Sequence, residues 1–226
     1  MNDIEILAYH GWGFNADCWH KWKQNIPNNA TWKSFDRGYF GDHRTPVFED
    51  SVHTKMVITH SFGLHLCPDE IFEQADVLVI FAGFLQFHPK AAQFRRRSTQ
   101  VLNEMIKQFD ESPQNVLKTF YRNVFHPEKE FRLPPDQMNE SSLLRDLKKL
   151  GNAKRTLPNV KKSAKVFIFH GTDDAIVPKR KGRALYEKFG KQAQYFEIKN
   201  GGHALPMTHP QKCWQMIEPE ITESIK

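Results

Sequence analysis

The chain has 226 residues, 39 % of them apolar, which suits one domain, with or without an insertion, and excludes a disordered chain. Its formal net charge of +6 points to an acidic partner, but no zinc-finger spacing or RNP-type aromatic motif supports nucleic acid. No stretch approaches the roughly 18 apolar residues of a membrane span.

The start, Met1-Asn2-Asp3-Ile4-Glu5, lacks a basic n-region followed by an apolar run, so no secretory signal is expected. Cys18, Cys67 and Cys213 are few, far apart and odd in number. They read as thiols of a reducing compartment, and a cytoplasmic location is expected. The 11 histidines are scattered outside any ligand spacing, so no metal is expected.

In chain order, Ile4 to Tyr9 is a short apolar run ending at His10-Gly11. Asn15 to Ile26 reads as a helix, with an Asn cap and Trp19, Trp22 and Ile26 at helical spacing. Thr31 to Phe35 is strand-like. Lys55 to Thr59 and Val77 to Phe81 are buried strands. Gln86 to Pro158 carries no convincing strand. It reads as charged helices over Ala91 to Phe109, Pro113 to Phe125 and Glu140 to Leu150, with Ser112-Pro113 as a cap and first-turn proline. Lys165 to Phe169 resumes the strand pattern. Val177-Pro178 opens a helix towards Phe189, Gln194 to Ile198 is a strand, and a last helix starts near Pro210. Continuous apolar strands separated by helices predict a parallel sheet covered on both faces. The expected organisation is an α/β core over 1–85 and 159–226, with a helical lid over 86–158 above the carboxyl ends of the strands.

Three segments at strand ends carry Ser, Asp and His in that order. Thr59-His60-Ser61-Phe62-Gly63 follows a strand and precedes a helix. Such a turn strains the serine backbone and lifts Oγ clear of the sheet; a serine that only caps the helix is the alternative. Thr59 stands where a glycine is usual. In His170-Gly171-Thr172-Asp173-Asp174-Ala175-Ile176-Val177-Pro178, either aspartate suits the acid that orients a catalytic imidazole, and both could merely cap the following helix. In Asn200-Gly201-Gly202-His203-Ala204, glycines let a loop bring the His203 ring back over the sheet. The joint order is harder to explain by chance than any one segment. A fourth segment, His10-Gly11-Trp12-Gly13, follows the first strand. In the α/β-hydrolase design one oxyanion donor is the N–H after the nucleophile, here Phe62, and the other comes from an early loop, here Trp12. A packed tryptophan in a tight glycine turn is compatible with that role.

The chain resembles the biotin-synthesis carboxylesterases of the α/β-hydrolase superfamily. The resemblance rests on His10-Gly11-Trp12-Gly13-Phe14-Asn15-Ala16-Asp17 with Trp19, on His60-Ser61-Phe62-Gly63, on Gly171-x-x-Asp174-x-x-Val177-Pro178, and on His203-Ala204 with His209-Pro210. It implies Ser61, Asp174 and His203 as the triad, the spacing to Gly171 and Val177-Pro178 favouring Asp174 over Asp173. The N-terminal antiparallel hairpin usual in this fold is not expected, because the His10-Gly11 turn comes almost at once. About six strands should remain. The implied substrate is the methyl ester of pimeloyl-acyl-carrier protein, with no cofactor, no membrane and a monomeric enzyme. Trp12, Phe84, Leu85 and Phe87 are candidates for an acyl pocket. The lid is basic at Arg95-Arg96-Arg97, Lys107, Lys118, Arg122, Arg132 and Lys148-Lys149, with Glu104, Asp110, Glu111, Glu128 and Glu130 interspersed. Arg95, Arg96, Arg97 and Arg122 are the expected docking residues for the acidic carrier; a mixed solvated face is the bland alternative. Two rivals remain: a general short-chain esterase, thioesterase or lactonase with the same triad, and a binding protein that has lost turnover, with Thr59 as its symptom.

Overall fold

The computed structural model describes residues 4–50, 53–129 and 133–223. Six strands form one sheet: β1 (Ile4–Tyr9), β2 (Ala30–Ser34), β3 (Thr54–His60), β4 (Val77–Phe81), β5 (Lys165–Gly171) and β6 (Ala193–Ile198). Their order is β2-β1-β3-β4-β5-β6, and every neighbouring pair is parallel. Parallel neighbours need crossovers, which cover both faces. The pleat then sorts the side chains. Met56, Ile58, Val79, Phe81 and Phe169 point into one core with Trp19, Trp22 and Trp214. Val57, Leu78, Ile80 and Ile168 point into the other with Leu64, Phe72, Leu185 and Phe189. This sheet with helices on both faces is the expected fold class.

The helices are α1 (His20–Lys23), α2 (Gly63–Leu66), α3 (Asp69–Gln74), α4 (Ala92–Glu111), α5 (Pro113–Phe125), α6 (Glu140–Gly151), α7 (Arg180–Phe189), α8 (Leu205–Thr208) and α9 (Pro210–Glu223). Three local expectations are corrected. The helix over Asn15 to Ile26 shrinks to a 3₁₀ turn (Ala16–Trp19) and the four-residue α1. Pro27 disfavours helix at Ile26, and the Asn15 amide donates to Asp17 Oδ2 at 3.2 Å instead of capping. The Ser112 side chain does not cap α5; its backbone ends α4 through Gln108 O and starts α5 through Val116 N, with Pro113 first in the helix. Helix α7 starts at Arg180, two residues beyond Val177-Pro178: Pro178 disfavours helix at Val177, and the chain enters α7 through a turn in which Lys181 N donates to Pro178 O at 2.9 Å.

Helices α4, α5 and α6 rise from a neck where Gln86 and Lys154 form an antiparallel bridge. Leu102, Phe109, Val116, Leu117, Leu143 and Leu147 pack there against Trp12, Phe62, Phe84 and Val177 of the sheet domain. An ion pair with a buried carboxylate and a partly buried guanidinium fixes the same junction. Arg37, beyond β2, donates to both Asp146 oxygens of α6 at 2.6 and 3.1 Å, and the Tyr39 hydroxyl donates at 3.0 Å. Burial alone would raise the Asp146 pKa; the guanidinium and the hydroxyl outweigh it and hold the carboxyl below its usual value. Removing one partner of such a pair typically costs about 3–5 kcal/mol. All three cysteines are buried, and none is in a disulfide. Among the described residues no helix is long and apolar enough to cross a membrane. Met1 to Asp3, Glu130 and Arg132 lie outside the described residues.

Candidate active site

Because the sheet is parallel throughout, the carboxyl ends of all six strands share one edge. From β1 the chain moves outward to β2, then returns to β3 on the other side of β1. Open α/β sheets place their ligand crevice at such a reversal. The His10–Gly13 loop leaves β1 there, and Ser61 leaves β3 beside it.

Ser61 has φ +54°, a left-handed conformation that costs a serine about 1–3 kcal/mol and persists only where its surroundings enforce it. Its amide donates to Phe81 O at 2.8 Å, and its carbonyl accepts from Leu64 N at 3.3 Å. A Cβ on Gly63 would run into the Tyr9 carbonyl oxygen, so only glycine lets α2 start this close to β1. Ser61 does not cap α2 with its side chain; Phe62 holds the cap position. Thr59 lies inside β3 between Tyr9 and Ile80. Its buried hydroxyl has no partner among the described residues.

Asp174 sits in the loop after β5 with its side chain fully buried. Oδ1 accepts the amides of Ile176 and Val177 at 2.8 and 2.7 Å. Oδ2 accepts His203 Nδ1–H at 2.8 Å. The carboxylate thus closes its own loop and orients the imidazole as well. Burial pushes its pKa up, but His203 and His170 outweigh burial and hold it well below the usual carboxylate range. Asp173 is exposed and accepts the neighbouring Thr172 hydroxyl at 3.0 Å. His203 is buried in the loop after β6. A Cβ on Gly202 would strike the His126 carbonyl beyond α5, so glycine is needed for this loop to pass so close to the end of α5. The bonds of His203 run to Asp174 and, through its carbonyl, to His60 Nε2 at 3.0 Å; none runs to Ser61. Catalytic hydrogen bonds are often open until substrate binds.

The Phe62 and Trp12 amides donate to no described residue, and both residues line one cavity with Ser61. The Trp12 ring meets Phe120 edge-on at 4.8 Å, and its indole N–H donates to Leu143 O of α6 at 2.8 Å. It therefore ties α6 to the His10–Gly13 loop while its amide stays available. The cavity measures about 1280 Å³, with Phe84, Phe87, Phe94, Val101, Met105 and Phe120 among its apolar walls. Phe94 and Val101, seven residues apart on α4, are 55 % and 64 % exposed, which leaves apolar surface for a ligand to cover. Leu85 does not line the cavity; it packs against the opposite core. Arg97 lines the cavity, whereas Arg95, Arg96 and Arg122 face solvent outside it.

Three buried histidines around the site fall inside the motif segments, but the sequence assigns none of them a role of its own. His170 Nε2 donates to Val177 O at 2.7 Å and lies 3.2 Å from Asp174 Oδ2. His60 braces the His203 carbonyl. His10 donates to Gly11 O at 2.8 Å and accepts Arg37 N–H at 3.0 Å. Burial lowers His10 to about 4 and His60 to about 3; His65, bonded to Phe84 O, falls to about 4 for the same reason. In the unfolded chain these rings titrate near 6.5, so below that pH the unfolded state takes up protons that the folded state refuses. Their stabilisation is complete above about pH 6.5 and is lost as pH falls towards their folded values, each ring adding up to about 1.4 kcal/mol per pH unit. Chemical denaturation at pH 7.5, 6 and 5 should show stability dropping throughout. Stability flat over that interval would mean the rings are not buried as neutral bases.

Among the described residues no group of His, Cys, Asp or Glu is placed to hold a metal ion. Among curated protein sequences none matches this chain. Solved structures match over nearly the whole length. An esterase from Exiguobacterium antarcticum has a TM-score of 0.72 at 13 % identity, covering 98 % of this chain and 92 % of its own. MenH from S. aureus has 0.74 at 10 % identity, covering 100 % and 96 %. A thermophilic esterase from Thermogutta terrifontis has 0.68 at 13 % identity, covering 99 % and 91 %. At these identities the likeness shows the α/β-hydrolase fold. The family model described as Serine hydrolase (FSH1) matches residues 74–213, a span that takes in Asp174 and His203 and begins after Ser61. By that match over more than half its length, the chain belongs to the FSH1 serine hydrolase family.

Proposed function

We propose that the protein hydrolyses carboxylic esters with Ser61 as nucleophile, His203 as general base and Asp174 as the acid that orients His203. The observation that carries this reading is the buried 2.8 Å bond from Asp174 to His203 Nδ1, on the strand edge where Ser61 stands at φ +54°. With Nδ1 holding its proton towards Asp174, Nε2 is the basic nitrogen. It takes the Ser61 proton as Oγ attacks the ester carbonyl. The Phe62 and Trp12 amides then donate to the oxyanion. His203 returns the proton to the departing alcohol. Water, deprotonated by the same nitrogen, frees the acid.

The finer reading is a methyl ester of pimeloyl-acyl-carrier protein in biotin synthesis. It is supported by the sequence resemblance and by a cavity of about 1280 Å³ with largely apolar walls beside the basic helical segment. A carrier must sit on that lid to pass a tethered acyl chain inward. Arg95, Arg96 and Arg122 are exposed there, and Arg97 stands at the cavity itself. Rim charges act mainly on encounter and salt dependence. Reversing Arg95, Arg96 and Arg122 to Glu should raise KM for the carrier-bound ester about tenfold at low salt, far more than for p-nitrophenyl acetate. Added salt should mimic the change for the carrier substrate alone. Equal losses on both substrates would mean a damaged lid. No loss on either would remove the carrier from this surface. Hydrolysis of the pimeloyl carrier ester beside shorter and longer acyl chains tests the substrate itself; equal rates on all of them would favour a general esterase.

A further inference from the structure

The charged lining of the cavity is one-sided. Arg97, Lys107, Arg180 and Lys181 stand against a single carboxylate, Glu104, whose oxygen is engaged by the Gln108 amide at 2.9 Å. Among the described residues none of the four cations is ion-paired, although Arg183, one turn beyond Arg180, has Glu197.

Lys181 is the unusual member. It is half-buried in the first turn of α7, and its Nζ donates to two carbonyls of the chain leading into the lid, Gln86 O at 2.6 Å and His88 O at 3.2 Å. Two of its three N–H groups are thereby used and aimed, and one is left. Burial lowers its pKa to about 8, and Arg180 and Lys90 push the same way. At neutral pH the group is still mostly charged. A partly desolvated ammonium without a counter-ion is costly, and an arriving anion would remove that cost. Carbonyl partners hold the nitrogen in place without neutralising it.

We propose that Lys181, with Arg180 beside it, forms an anion subsite of the Ser61 cavity, and that the preferred esters carry a carboxylate or phosphate remote from the scissile carbonyl. This rests on the ester-hydrolase reading above. The apolar walls take the chain between the two ends, and the cation selects the far end. The bland role of Lys181 is a clamp that ties Gln86 and His88 to α7, and the test separates the two.

The measurement is kcat/KM on matched pairs: the monomethyl and dimethyl esters of straight-chain dicarboxylic acids over a range of lengths, and a methyl ester ending in a phosphate. The wild type should prefer the anionic member at one best length, and the phosphate arm shows which anion fits better. Lys181→Gln should lower the anionic-to-neutral ratio about tenfold, chiefly through KM, and Lys181→Arg should restore much of it. Arg180→Gln, which leaves the clamp intact, should lower the ratio severalfold. Turnover of neutral esters with no anionic preference at any length would overturn the subsite while leaving the hydrolase reading in place. So would a ratio unmoved in Lys181→Gln, or equal losses on both esters in Lys181→Gln with no effect of Arg180→Gln. Failure to hydrolyse any ester would instead be a failure of the reading beneath it.

Discussion

Ser61→Ala is expected to fold as the wild type does and to lose about 10⁴- to 10⁶-fold in kcat, the range found when a triad nucleophile is removed. The structural cost should be small. The Ser61 side chain makes no capping bond to α2, and the constraints on its backbone come from Phe81 O, Leu64 N and the glycine contact at Gly63. Alanine meets the same left-handed φ with no greater penalty than serine. Circular dichroism and the denaturation midpoint should therefore barely move while ester turnover collapses. Retention of more than about a tenth of wild-type activity would remove Ser61 from the nucleophile's role.

The two aspartates should then part sharply. Asp174→Asn is expected to cut kcat by about 10⁴-fold, because an amide facing His203 Nδ1 no longer stabilises the imidazolium and favours the wrong tautomer. The loop should suffer less: the side-chain oxygen of asparagine can still accept the Ile176 and Val177 amides that Oδ1 accepts now. Asp173→Asn should change activity less than about threefold, since an exposed group bonded only to its neighbour's hydroxyl contributes little to a site. Measured side by side, the reverse ranking would give the role to Asp173.

Much of this was legible in the residues. The buried run Val77–Phe81 is a strand from end to end, and the period of the charged stretch after Gln86 places α4, α5 and α6 to within about two residues. Those signals survive because burial on both faces and helical periodicity are local properties of the chain. The start of α7 lies two residues beyond Pro178 because a turn from Pro178 O to Lys181 N precedes the first helical bond, a detail that the residue pattern does not mark. The weakness of the Asn15 helix depended on Asp17 competing for the Asn15 side chain and on Pro27 beyond it. The site divides the same way. Serine, aspartate and histidine at strand ends could be read in order, and only the fold brings Asp174 to 2.8 Å from His203. The contacts of His170 and Lys181 had no sequence signal, because their partners are backbone carbonyls of residues that spacing does not mark.

The most direct test of Ser61 as an activated nucleophile is covalent labelling by a fluorophosphonate, with the modified residue located by peptide mass spectrometry. The reagent should attach to Ser61 alone in the folded wild type. Labelling should disappear in Ser61→Ala and slow by orders of magnitude in His203→Ala, since a serine without its base is a poor nucleophile. A label on another residue, or a folded protein that takes up none, would contradict the account.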